Sequence, residues 1–124
     1  MDSVSIVRQF WALMASNNFD SVAAVLHERF VLDWPQSGER IRGAAHFAGM
    51  NREYPAHGPW RFEIRRLFGS GDTAVSEVQV TDGAVTAVAI SFFRIEDSRI
   101  VHITEYWPDP FPAPASRARW VELS

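Results

Sequence analysis

No cysteine occurs among the 124 residues, which excludes disulfides and thiolate zinc sites and leaves the redox compartment undetermined. Long apolar runs are missing too, and none approaches the roughly 20 residues of a membrane span. The first residues, Met1-Asp2-Ser3-Val4-Ser5-Ile6-Val7-Arg8, lack a basic region followed by an extended apolar stretch. No signal peptide and no membrane partner are expected, and a cytoplasmic location is. An excess of positive charge is also absent. Lys and Arg number 12 against 15 Asp and Glu, a net charge of −3. The arginines are interleaved with acids, which argues against a nucleic-acid partner. There is no glycine-rich phosphate loop, dinucleotide fingerprint or nucleophile elbow. His27, His46, His57 and His102 show no H-x-x-x-H or H-E-x-x-H spacing, so no metal and no other cofactor is expected. His46, just before Phe47, is either a surface residue or one that reaches a pocket mouth. His57, in the loop His57-Gly58-Pro59, belongs in solvent.

What is present reads as one soluble globular domain over residues 1–124, with 47% hydrophobic and 22% charged residues and enough chain to bury its own core. Val4, Val7, Phe10, Trp11 and Met14 recur at helical spacing behind Asp2 or Ser3 as N-cap, up to Asn17-Asn18. A second, short helix starts at Asp20 or Ser21 and carries Val22, Val25 and Leu26. Phe30–Trp34 reads as a strand stopped by Pro35 and the turn Gln36-Ser37-Gly38. Phe47, Met50 and Tyr54 mark a third helix over Ala44–Tyr54, closed by Pro55. From Trp60 the period changes to 2, and four antiparallel strands follow. The turns between them are Gly69-Ser70-Gly71-Asp72, Asp82-Gly83 and the one at Ser98. Helices early and strands late imply an α+β domain with the helices on one face of a sheet. Residues 108–124 form a tail in which Pro108, Pro110, Pro112 and Pro114 favour extended backbone.

Two strands stand out. Val85–Ile95 is apolar on both faces, with Val85, Ala87, Ala89, Phe93 and Ile95 on one and Val88, Ile90 and Phe92 on the other. Either the tail or another subunit should cover the second face. In Arg99–Trp107, period 2 places Val101, Ile103, Glu105 and Trp107 together, so a single carboxylate sits on an apolar face. Buried, it needs a partner, a proton or a chemical role; the alternative is an edge strand with Glu105 in water.

The chain resembles the nuclear transport factor 2-like superfamily and, within it, the SnoaL-like proteins. The cues are F-W-A-L-M-A-S-N-N-F-D in the first helix pair, F-V-L-D-W-P followed by I-R-G ahead of the third helix, and the closing E-Y-W-P-D-P-F. The resemblance implies three N-terminal helices packed on a curved, mostly antiparallel sheet, a cone-shaped pocket between them, and a homodimer through the sheet. The fold carries many reactions, so the residues must decide. Against the ketosteroid isomerases, the base position resembles Trp34, the oxyanion tyrosine Phe10 and the protonated aspartate Ile90, so all three polar groups are missing. Against the limonene epoxide hydrolase-like members, Glu105-Tyr106-Trp107 is similar to their D-Y-F, while their arginine and second aspartate match Glu77 and Gln79. The polyketide cyclases use an aspartate and a histidine, but His102 lies on the opposite strand face from Glu105.

Glu77 and Gln79 share one face of Thr73–Val80. If that face is the pocket, Glu105, Glu77 and Gln79 are its catalytic groups, one carboxyl acting as acid and the other as base. The alternative for Glu77 is a surface or interface position. The walls would come from Trp11, Met14, Phe30, Trp34, Phe47, Met50, Tyr54 and Trp107. Plain core packing suits Trp60 better, and Trp11 is open to either role. The ligand is then an apolar small molecule, and the reaction an isomerisation, cyclisation, dehydration or hydrolysis. The alternative is a non-catalytic ligand-binding or dimerisation module.

Overall fold

The computed structural model describes residues 2–124. Helix α1 (Ser3–Ala15) starts where the Asp2 side chain accepts the Ser5 backbone N–H at 2.8 Å, satisfying one of the free donors of the first turn. It buries Ile6, Val7, Phe10, Trp11 and Met14. Its first turn lies against Gly69, near the end of the strand Arg61–Ser70, where a Cβ would fall 2.6 Å from Ser3 Oγ and 2.8 Å from Val4 Cγ2. Any larger residue there would force the Ser3 and Val4 side chains to shift.

The second expected helix is a 3₁₀ helix, Phe19–Val25, which buries Phe19, Val22 and Val25. Its seven residues are too few for a stable α-helix without tertiary support. Helix α2 (Ala44–Glu53) follows Gly43, whose φ of +87° favours glycine, and a second 3₁₀ turn, Ala115–Trp120, lies in the tail.

Six strands make one sheet in the order β2-β1-β6-β5-β4-β3. They are β1 Leu26–Trp34, β2 Glu39–Arg42, β3 Arg61–Ser70, β4 Thr73–Thr81, β5 Thr86–Glu96 and β6 Arg99–Tyr106. All neighbours are antiparallel except β1 and β6. The first strand is longer than its sequence pattern suggests because Leu26 already pairs with Ile100, ahead of a bulge that ends at Val31. Strand β2 is absent from the sequence reading: four residues, mostly charged and exposed, carry no apolar signal. The helices lie on one face of the sheet, and Phe10, Phe30, Phe47 and Phe93 join the two layers in edge-on and tilted ring contacts.

Candidate functional site

Between the helices and the inner face of the sheet lies a cavity of about 480 Å³, large enough for a small organic molecule. Its lining includes Trp11, Met14, Trp34, Phe47, Met50, Tyr54 and Trp107, all anticipated from the sequence. Phe30 is a correction. It is fully buried with its ring 5.6 Å from that of Phe47, and it fills the core below Leu32 and Trp34 rather than the cavity wall. Trp60 is a second correction, because it lines the cavity together with Phe10 and Phe62. Asn17 holds it there. Its side chain accepts the Trp60 N–H and donates to the Trp60 carbonyl, both at 2.8 Å, from a left-handed turn at the end of α1 with φ +59°.

Glu105 points inward, 6% exposed. Register explains its surroundings. Ser91 lies directly opposite on β5, and the parallel pairing of Leu32 with Ile103 carries Trp34 alongside it. Trp34 Nε1 donates to Glu105 Oε1 at 3.0 Å, and Ser91 Oγ donates to Oε2 at 2.7 Å. Burial pushes the Glu105 carboxyl above its ordinary value, while bonds from Trp34, Ser91 and Trp107 pull part of the way back. The polar row continues one strand further. Ser91 pairs with Ser76 on β4, and Ser76 Oγ accepts the Trp11 indole N–H at 3.1 Å.

Glu77 and Gln79 do not join Glu105. The inner face of β4 is Ala74, Ser76, Val78 and Val80, so both residues face outward by parity. Glu77 is ion-paired with Arg66. The position compared with the isomerase aspartate is displaced in the same way: Ile90 is on the outer face, and its neighbour Ser91 is buried on the inner face behind Glu105. Ser91 could have been found in the sequence as the single hydroxyl on the otherwise apolar face Ala87, Ala89, Phe93 of the penultimate strand. Glu39, Gln36, Ser37 and Asn51 also line the cavity and carry no equivalent signal.

The rim is fastened by two polar clamps. Gln36 accepts the Trp107 N–H at 2.6 Å and donates to its carbonyl at 3.2 Å, tying the β1–β2 turn to the end of β6. Asp82, in the β4–β5 turn, accepts the backbone N–H groups of Ala84, Val85 and His57. Those three bonds hold its carboxyl well below the usual range.

Outside the cavity, Asp33 lies between Arg40, which donates through two nitrogens, and His102 Nε2 at 2.8 Å. The Arg40 bonds lower its pKa to about 2. His27, Glu96 and Asp97 converge closely enough for a cation. However, His27 Nδ1 accepts the Arg29 N–H at 3.0 Å, which leaves the ring proton on Nε2 facing Asp97, and Glu96 is bonded to Arg29. That ring has no free lone pair for a metal.

On the outer face, Phe68, Phe92 and Tyr106 are exposed. Every residue from Pro108 to Ser124 is exposed as well, so the tail is not buried against that face. No helix among the described residues is long and apolar enough to cross a membrane.

The SnoaL-like domain family model matches residues 7–103. A candidate ketosteroid isomerase from Kribbella flavida superposes with a TM-score of 0.88 at 29% identity, covering 98% of this chain and 88% of that one. An NTF-2 like protein of unknown function from Burkholderia xenovorans gives 0.78 at 29% identity, covering 97% and 93%. An LEH-like epoxide hydrolase from M. tuberculosis gives 0.70 at 23% identity, covering 85% and 81%, a likeness of fold. No curated protein sequence matches.

Proposed function

The chain belongs to the SnoaL-like domain family, and on that premise we propose that its cone-shaped cavity performs acid/base chemistry on an apolar small molecule, with Glu105 as the proton-transfer group. The observation that carries this reading is a carboxyl 6% exposed among aromatic rings, with its pKa raised above the ordinary value by burial. A base is most effective when its pKa approaches the working pH, and burial moves Glu105 in that direction. Trp34 and Ser91 fix the two carboxyl oxygens, so the group is oriented before substrate arrives. A single carboxylate that takes a proton from one carbon and returns it to another leaves nothing to be consumed. That suits isomerisation or cyclisation. Epoxide opening is less well served, because Glu77 and Gln79 lie across the sheet from Glu105.

A second reading is a non-catalytic ligand-binding module, favoured by the pairing of Glu77 with Arg66 on the outer face. A panel of apolar ketones, esters and epoxides incubated with the protein in heavy water separates the two. Protein-dependent deuterium incorporation or turnover, lost in Glu105→Gln, supports the enzyme. Binding without exchange supports the module. A homodimer through the outer face is part of the same proposal, since Phe68, Phe92 and Tyr106 form an apolar surface there.

A further inference from the structure

The cavity is one-sided in its chemistry. Eight of its lining side chains are aromatic, and its two charged members, Glu105 and Glu39, are both acidic. The chain contains no lysine, and among the described residues no arginine or histidine lines the cavity. Glu105 has no cation within ion-pair distance among the described residues; its hydrogen-bond partners, Trp34, Ser91 and Trp107, are neutral. A buried carboxylate without a counter-charge is costly.

The nearby donors are largely committed inside the protein. Trp34 and Ser91 serve Glu105, Gln36 serves the Trp107 carbonyl and Asn51 serves the Phe47 carbonyl. Besides the Tyr54 hydroxyl and the Trp60 indole N–H, what remains for a ligand is the acceptor capacity of two carboxylates and the electron-rich faces of the rings. Both are complementary to a positively charged donor.

We infer that the ligand is a lipophilic monocation, a small amine or ammonium with apolar substituents, whose charge faces Glu105 and the indole rings. This rests on the cavity being the ligand site and supplies its substrate class. Glu39 at the mouth draws such a cation inward, and the same two charges repel carboxylates and phosphates. The bound cation replaces the proton as the partner of Glu105 and leaves the carboxylate in its basic form.

Benzyltrimethylammonium and its neutral carbon isostere neopentylbenzene have the same shape and differ in charge, so paired titrations isolate the charge. Quenching of tryptophan fluorescence and indole N–H shifts report occupancy. The quaternary ion does not titrate, so any pH dependence comes from the protein, where Glu105, Glu39 and Tyr54 are the titratable lining groups. The expected result at slightly alkaline pH is a preference for the cation of about tenfold or more. That preference shrinks as the solution is acidified through the Glu105 titration, and it shrinks in Glu105→Gln. The pH series on the wild type tests the same carboxylate even if that variant fails to fold. Equal or tighter binding of the isostere overturns the cation proposal and leaves the acid/base reading standing. Binding of neither also overturns the cation proposal, and the deuterium-exchange assay then decides the acid/base reading.

Discussion

The Trp34 indole N–H meets Glu105 Oε1 at 3.0 Å across 71 positions of sequence. This bond joins the last residue of β1 to the buried acid of the parallel strand β6, and it stabilises the charged form of that acid. Trp34→Phe keeps the aromatic wall and removes the donor. The Glu105 pKa should then rise further, because a bond that favours the charged form is lost. The acidic limb of any pH–activity profile should move to higher pH with it. An unmoved limb would show that the bond does not tune the acid.

Stability should respond to pH through Glu105 with a definite sign. Its folded pKa lies above the ordinary 4.5, so the native state favours the proton. The stabilising contribution is fully present below that value and is lost as pH rises through the folded pKa. Glu105→Gln removes this dependence. The stability of the variant relative to wild type should therefore increase as pH is raised from about 4.5 toward neutrality, as read by urea unfolding. Parallel curves would mean that the carboxyl is not perturbed by burial.

The outer face gives an expectation for assembly. Ile90→Lys places a charge among Phe92, Tyr106 and Val88, and the proposed dimer should dissociate or aggregate. Light scattering on the size-exclusion column reads the mass directly. A wild type that is monomeric at micromolar concentration would refute the dimer.

Asp82 is expected to matter more than its place in a turn suggests. Asp82→Ala removes the acceptor for three backbone N–H groups and should lower Tm while loosening the rim at Val85. His57→Ala, which keeps the Asp82 carboxylate and the residue-57 backbone donor, should cost much less. Asp82 and Asp33 both have lowered pKa values, Asp33 to about 2. Their contribution is present above the ordinary 3.8 and fades as pH falls below it. Acid unfolding midpoints of Asp33→Asn and Asp82→Asn against wild type check the sign.

Much of the architecture was legible because it rests on periodicity. The apolar stripe of α1, the change to period 2 after Trp60 and the Asp82-Gly83 hairpin all reappear in the structure at nearly their expected places. Strand β2 was not legible, since Glu39–Arg42 is an exposed edge recognised only through its pairing with Val31–Trp34. The inward orientation of Glu105 could be read from its own apolar face.

The face of β4 could not be read in that way. Parity groups Glu77 with Gln79 and separates them from Ser76 and Val78, yet it does not say which group is inside. Serine at 76 and 91 is small enough to be buried once the Trp11 indole and the Glu105 carboxyl provide partners. Those partners come from distant elements, so the hydroxyls look unremarkable in the sequence. Phe30 and Trp60 exchanged their expected places for a similar reason. Depth along the inner face is set by the layer above it, and the Asn17 clamp that sets Trp60 joins residues 43 positions apart.

The most direct measurement is a carbon-13 NMR titration of the protein labelled at the glutamate carboxyls, with Glu105→Gln identifying the resonance of Glu105. The account requires that resonance to titrate with a midpoint clearly above the ordinary 4.5 and to depend on the Trp34 indole. A Glu105 signal that titrates at or below that value, and is indifferent to Trp34→Phe, would contradict it.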